Sequence, residues 1–417
     1  MATRTRIEPA ATLEARFAKT RALSRAIAAP LSDADATLQP MPDASPAKWH
    51  LAHTTWFFET FVLRDHVPGH RPYDPRWAYL FNSYYDGEGA RHARDRRGML
   101  SRPTLAELIG YRAAVDEAVA AALPRLPDEA LALVELGIQH EQQHQELMLM
   151  DLTATFFANP LLPALWPEAP SAPAAAALPG DIGWIKGREG AVGIGHNGGG
   201  FAFDCEGPRH DVLLHPHQLA DRLVTNAEWI AFIEDGGYRN PLLWLSDGWA
   251  WRCAEEVEAP LYWRRGAEGW ERFALDGMKP LSPVEPVSHI SCYEADAFAR
   301  WAGARLPTEF EWEAAAASGD PDRGNQLDGA GPVRPRGGTA LFGDLWVWTQ
   351  SAFSPYPGFR PAAGTVGEYN GKFMCGQMVL RGGSCATPRG HLRASYRNFF
   401  YPHQRWMFSG LRLARDL

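Results

Sequence analysis

The chain has 417 residues, with 41 Lys+Arg against 49 Asp+Glu for a formal net charge of −8, and it is 46% hydrophobic and 22% charged. This length exceeds one ordinary domain of ~100–200 residues and fits two, and the composition can bury a sizeable core, which excludes wholesale disorder. The charge balance offers no sequence-wide basic surface and argues against a general nucleic-acid binder, while no apolar stretch reaches the ~20 residues of a bilayer span.

Residues 1–158 read as helices. Leu13, Phe17, Leu23 and Ile27 fall in two pairs at four-residue steps, and Thr104-Leu105-Ala106-Glu107 is a capping-box pattern that opens a run carrying Leu108, Val115, Val119 and Leu123. A segment around Trp49 to Phe61 and a longer one from Asp128 to Phe157 complete four helices, enough for a bundle. Residues 159–181 hold six prolines among alanines, which cannot continue a helix and predict an extended linker. From 182 to 417, Gly, Pro and Trp become frequent and turn signals recur, the texture of a loop-rich α+β domain. The 16 Trp, 12 Tyr and 20 Phe, mostly in the second half, supply either a core or the walls of a pocket for a cationic or planar ligand. The five cysteines are scattered and form no CxxC, and the N-terminus lacks an apolar signal-peptide region. Both point to reduced thiols in a cytoplasmic protein.

The histidines carry the chemistry. His140 and His144 are spaced i,i+4 and project from one helix face; Leu133, Leu136, His140, His144 and Leu147 step by 3, 4, 4 and 3, which predicts that this face points inward. In the second helix Trp49, His53, Trp56 and Thr60 form a matching stripe, so three imidazoles from two helices can converge on one ion. His50 lies off that stripe at 100° per residue and is left out of the ligand set. Three neutral imidazoles suit Zn, Fe, Cu or Ni alike. Glu146 is about 200° from His144, which predicts a supporting or structural role rather than ligation. His140 to His144 also matches H-E-x-x-H, but both x positions and the next residue are Gln and the linker opens before a third ligand, which disfavours a zinc protease.

The segments DASPAKWHLAHTTWFFET (Asp43–Thr60), LFNSYYDGEGARHARDRRG (Leu80–Gly98) and HEQQHQE (His140–Glu146) resemble the DinB-like domain of the ergothioneine-pathway sulfoxide synthases. The second half resembles the formylglycine-generating-enzyme-like domain of the same family through Gly207–Tyr238, Pro286–Ala316, Gly343–Phe353, Leu380–Ser384 and Ser395–Ala414. The resemblance implies a DinB-like four-helix bundle followed by a loop-rich, C-type-lectin-like domain that supplies the substrate pocket. It also implies Fe(II) on His53, His140 and His144, with O2 as co-substrate. The reaction it implies is C–S bond formation between the imidazole of hercynine, the Nα-trimethyl betaine of histidine, and a thiol.

Residue by residue, the resemblance assigns Asn398 and Phe399 to the trimethylammonium group, beside Phe400, and Gln143 to the substrate imidazole. Arg94 and Arg97 match the family's carboxylate-binding arginine pair, a role suited to guanidinium forks. Tyr84 and Tyr85 match the tyrosine pair that one branch uses as proton or electron donor; Tyr369 lies near the catalytic tyrosine of another branch. The branch that uses γ-glutamylcysteine carries an acid after the Asn-aromatic pair, where this chain has Phe400, and the loss points to free cysteine as donor. Three rivals stand beside this reading. A true formylglycine-generating enzyme needs a second cysteine after Cys385, and none follows. A non-catalytic metal-binding module predicts no O2 use, and a sister synthase would act on histidine itself or on a selenium donor.

Overall fold

The computed structural model describes residues 10–167, 180–361, 367 and 370–417. The first part is helical: α1 (Ala10–Ala28), α2 (Asp33–Thr37), α3 (Ala47–Phe58, continued by a π-helical turn Glu59–Arg64), α4 (Trp77–Phe81), α5 (Leu105–Ala122) and α6 (Asp128–Ala158). The Thr104 capping box forms as the sequence predicts, with Glu107 N donating to the Thr104 hydroxyl at 3.2 Å and Thr104 N donating to the Glu107 carboxylate at 2.7 Å. Helices α1, α3, α5 and α6 pack as a bundle around Phe17, Trp56, Phe58, Val119, Val134 and Ile138.

The stripe predicted for α6 needs correction. Leu133, Leu136 and Leu147 are only half-buried, and the tightest bundle positions are Leu131, Val134 and Ile138. From Gly137 to Phe156 the helix is buried on almost every side. The second domain covers the face that the bundle leaves open, so a one-stripe periodicity does not apply to this helix. Its two halves serve two cores: Leu131, Val134 and Ile138 belong to the bundle, whereas Met148, Leu149, Leu152 and Phe156 pack with Trp229, Trp346 and Phe408 of the second domain.

The second domain contains β1 (Trp184–Lys186), β2 (Gly190–Ile194), β3 (His210–Leu214), β4 (His217–Ala220), α7 (Asn226–Glu234), α8 (Ser246–Ala254), β5 (Trp263–Gly266), β6 (Gly269–Ala274), β7 (Gly277–Pro280), α9 (Cys292–Trp301), α10 (Glu309–Ala316), β8 (Trp346–Ala352), β9 (Met378–Arg381), β10 (Asn398–Phe400), β11 (Ser409–Gly410) and β12 (Ala414–Asp416). They form a sheet of order β10-β9-β8-β11, a second of order β1-β4-β12, a β5-β6-β7 meander and a β2-β3 hairpin. Helices α7, α9 and α10 each open on a capping box, from Thr225, Ser291 and Thr308. Strand β10 pairs antiparallel with β9, Phe399 opposite Val379, which presents its residues toward the helical domain's cavity.

The start of the proline-rich segment is docked: the backbone N–H groups of Leu165 and Trp166 both donate to Leu275 O, at 2.9 and 3.0 Å, and Leu165 enters the second core. Residues 168–179 lie outside the described residues. Among the described residues no helix is long and apolar enough to cross a membrane.

Candidate active site

His53, on α3, and His140 and His144, one turn apart on α6, each offer a ring nitrogen within 4.8 Å of the others, and all three are buried. Burial pushes the His140 imidazole down to about 4. Burial and the neighbouring His140 hold His53 and His144 well below the ordinary histidine range. The three rings are therefore neutral near pH 7 and have lone pairs to offer, the donor set of an imidazole-ligated transition metal.

Two of the rings, His53 and His144, are oriented from behind. His53 is stacked between Trp49 (4.6 Å, 12°) and Trp56 (5.6 Å, 17°), and its Nδ1–H donates to Phe81 O at 2.6 Å, leaving the Nε2 lone pair for a metal. His144 Nδ1 lies 2.8 Å from His50 Nδ1, and His50 Nε2 lies 3.0 Å from Asp151 Oδ2. A carboxylate accepts, so His50 donates through Nε2 and its Nδ1 accepts the His144 proton, which leaves His144 Nε2 for a metal. Asp151 is anchored in turn by Ser45 N at 2.8 Å and, from the second domain, by Trp406 Nε1 at 3.0 Å. His50 is thus outside the ligand set but directly behind it. Off-stripe geometry rightly keeps it from ligation but gives no sign of this supporting contact, because every residue of α3 from Ala47 to Phe58 is buried.

Glu141, the carboxylate of the H-E-x-x-H pattern, is turned away from this centre. It accepts from Arg21 Nη1 at 2.8 Å, from Ser24 Oγ at 2.5 Å and from Arg112. Burial opposes its charge, but Arg112 and Arg21 outweigh it and hold the carboxyl at about 2. Such a group cannot serve as the general base of a zinc protease. Glu146 is the structural residue predicted: buried, it accepts from Trp346 Nε1 at 2.6 Å and from Ser384 Oγ and Thr387 Oγ1 at 2.7 Å, tying α6 to the second domain.

A cavity of about 440 Å³ opens from the histidines between the two domains. His53, His144, Tyr84, Tyr85, Arg94, Arg97, Gln143, Asn398, Phe399 and Phe400 all line it, so the structure brings together every remaining predicted site residue except His140, which sits behind the lining. Tyr369 lies outside the described residues. Arg97 is buried, lies 3.4 Å from the Trp49 ring centre and donates to Ser45 Oγ (2.9 Å) and Ser83 Oγ (3.1 Å). It has no carboxylate in ion-pair range among the described residues, and burial, then Arg94, lower its pKa to about 9. A charge still present at pH 7, dry and without a carboxylate partner among the described residues, suits an anion. Arg94 is exposed at the cavity mouth, bonded to the Tyr84 hydroxyl and Asp43 O. Tyr85 packs among Trp56, Phe57 and Phe61, whereas Tyr84 meets Phe373 edge-on at 4.8 Å.

The aromatic wall comes from β10. Phe399 stacks on Phe353 (4.1 Å, 13°), and Phe400 meets Trp406 edge-on at 5.5 Å. Aromatic faces beside the Asn398 amide suit a quaternary ammonium, which has no proton to donate. Cys385, after Gly382-Gly383-Ser384, is buried, and all five cysteines are free thiols.

A helical bundle with a buried three-histidine centre, closed by a loop-rich α+β domain that walls the cavity, defines a two-domain protein of metal-site architecture. Residues 16–148 match the DinB superfamily model, and residues 182–337 and 329–417 match the sulfatase-modifying factor enzyme 1-like domain. The chain is 34% identical to a hercynine oxygenase of Mycolicibacterium thermoresistibile, over 92% of this chain and 90% of that one. It is 33% identical to a hercynine oxygenase of Mycobacterium tuberculosis, over 92% and 94%. Its second half is 31% identical to a formylglycine-generating enzyme of Streptomyces coelicolor, over 52% of this chain and 84% of the relative. The chain belongs to the hercynine oxygenase family, the two-domain type that the sequence resemblance anticipates.

Proposed function

We propose that this chain is a non-haem Fe(II) sulfoxide synthase of ergothioneine biosynthesis, acting in the cytoplasm on hercynine, free cysteine and O2 to give hercynyl-cysteine sulfoxide. The imidazole C–H and the thiol S–H are lost, a C–S bond forms, one oxygen atom ends on sulfur and the other leaves with the two hydrogens as water. One observation supports the reading: a single cavity is lined by His53 and His144 of the histidine centre, a buried guanidinium without a carboxylate partner among the described residues and an aromatic wall beside an asparagine. Those are the needs of a metal, of an α-carboxylate and of a trimethylammonium group.

His53, His140 and His144 would hold the iron, and three neutral imidazoles fit that ion. When bound, iron supplies the activation of O2 that joining the two substrates requires. Asn398, Phe399 and Phe400 hold the betaine head, and Gln143 accepts a hydrogen bond from the substrate imidazole. Arg97, with Arg94 at the mouth, binds the donor's carboxylate. Tyr84 and Tyr85 supply a proton or an electron at a phenol oxygen. Phe400, in the place of the acid that the γ-glutamylcysteine branch carries, supports free cysteine as donor.

The test is anaerobic reconstitution with Fe(II), then O2 uptake and product mass with hercynine plus cysteine, hercynine plus γ-glutamylcysteine, and histidine plus cysteine. A hercynyl-cysteine sulfoxide formed fastest with the first pair is expected. Thiol oxidation alone, or no O2 uptake, would return the chain to the metal-binding-module reading, and a preference for γ-glutamylcysteine would reverse the donor assignment.

A further inference from the structure

Behind Gln143 runs a chain of hydrogen bonds whose direction is fixed at its far end. Glu135 is held by Arg16 through two contacts of 2.5 and 2.8 Å. A carboxylate only accepts, so the Gln139 group facing it at 2.9 Å is the amide NH2. The Gln139 carbonyl oxygen therefore faces the other way, where His391 Nδ1 lies at 2.6 Å and donates to it. His391 is fully buried; burial, then Arg393, hold it neutral, so its Nε2 carries a lone pair toward the Tyr396 hydroxyl at 3.2 Å. Tyr396 has one proton, which goes to His391, and its oxygen accepts from Gln143 Nε2 at 2.8 Å. An amide whose two ends are ordinarily interchangeable is thus set one way round. Gln143 Oε1 is left shielded from solvent in a cavity-lining residue, with no hydrogen-bond partner among the described residues.

The geometry points to Gln143 Oε1 as an acceptor-only contact that selects a heteroaromatic ring presenting an N–H, with Gln139, His391 and Tyr396 as the positioning residues that fix its polarity. This rests on the imidazole substrate proposed above and says which ring form is taken: the neutral imidazole with its N–H on Gln143. A ring presenting a lone pair there leaves two buried acceptors face to face, a mismatch that polar sites reject strongly. Tyr396 and His391 come from the second domain and Gln139 and Gln143 from α6, so this polarity exists only when the two domains are joined.

The experiment is anaerobic calorimetric titration of the full chain, with and without Fe(II), against hercynine and against the betaine of thiazolylalanine, whose ring keeps a nitrogen lone pair but has sulfur in place of N–H. The wild type is expected to bind hercynine at least ~10-fold more tightly than the thiazole. In Tyr396→Phe the amide is free to turn over, and the ratio is expected to fall to within about 3-fold while Fe(II) affinity is unchanged. Equal affinities in the wild type would overturn the acceptor assignment, and that comparison stands even if the variant folds poorly. A wild-type ratio that survives in Tyr396→Phe would overturn the positioning role. Binding of neither ligand would overturn the substrate reading itself, and this inference with it.

Discussion

His50 stands between His144 and Asp151, its two ring nitrogens 2.8 Å from one and 3.0 Å from the other. A histidine so placed fixes which nitrogen of its neighbour is free to bind a metal, and loss of such a partner weakens metal affinity by ~10–100-fold. His50→Ala and Asp151→Asn are both expected to weaken Fe(II) or Co(II) binding in that range in a competition titration, with the helical circular-dichroism signal retained. His53→Ala is expected to weaken it far more. Unchanged affinity in His50→Ala would mean that the Trp49 and α6 packing alone orients His144.

Arg97 is a charge held dry, and the proposed function gives it the donor's carboxylate. Arg97→Met keeps an apolar stem and removes the guanidinium over Trp49, a buried charge with no carboxylate partner among the described residues. The thermal midpoint is therefore expected to rise or hold, while the KM for cysteine rises at least ~10-fold and hercynine affinity stays within about 2-fold. A lowered midpoint together with unchanged KM would make the residue structural.

The metal-free protein should be acid-labile over a defined window. The ordinary histidine value is 6.5, and burial lowers His140 and His289 to about 4 in the folded chain. Between those values the unfolded chain binds protons that the folded chain refuses. The contribution of these two histidines is then full above about pH 6.5, declines as pH falls toward 4, and changes no further below that. Urea midpoints measured at half-unit steps from pH 7.5 to 3.5 check this; a flat profile between 6.5 and 4.5 would contradict it.

Glu146 receives three donors from the second domain. Glu146→Leu strands all three in a buried site, at a cost of ~3 kcal/mol or more. The denaturant midpoint of the whole chain is expected to fall accordingly, with a single transition. A loss under 1 kcal/mol would show that the buried carboxylate is nearly offset by its own desolvation.

At Phe400, introduction of an acid supplies a partner for a donor ammonium group. Phe400→Asp is expected to raise kcat/KM for γ-glutamylcysteine relative to cysteine by ~10-fold or more. No change in the ratio would separate donor choice from this position.

The helical bundle and the convergence of the three histidines were legible because each leaves a short-range mark, a capping box or an i,i+4 spacing, whereas the residues that line the cavity were expected only through the family resemblance of the segments that carry them. The capping boxes at Thr225, Ser291 and Thr308 were equally legible, in the same spacing as that at Thr104, and fix where α7, α9 and α10 begin. What periodicity could not give was the environment of α6. A helix that is covered on its second face by residues 200 positions away reads as amphipathic but is not, so Leu133, Leu136 and Leu147 were placed too deep and His50 too far out. The same distance hides the partners of Gln143, because Tyr396 and His391 reach it from about 250 residues down the chain.

Helix α6 lends its first half to one core and its second half to the other, and this limits how such a protein can be taken apart. A chain ending near residue 158 would present Met148, Leu149, Leu152 and Phe156 to water, while a chain beginning near 182 would lack the residues that fill the space beside Trp229 and Trp346. Exchange of either half for that of a relative therefore carries a requirement on the seam of α6: Met148, Leu149, Leu152 and Phe156 must still fit the core that receives them.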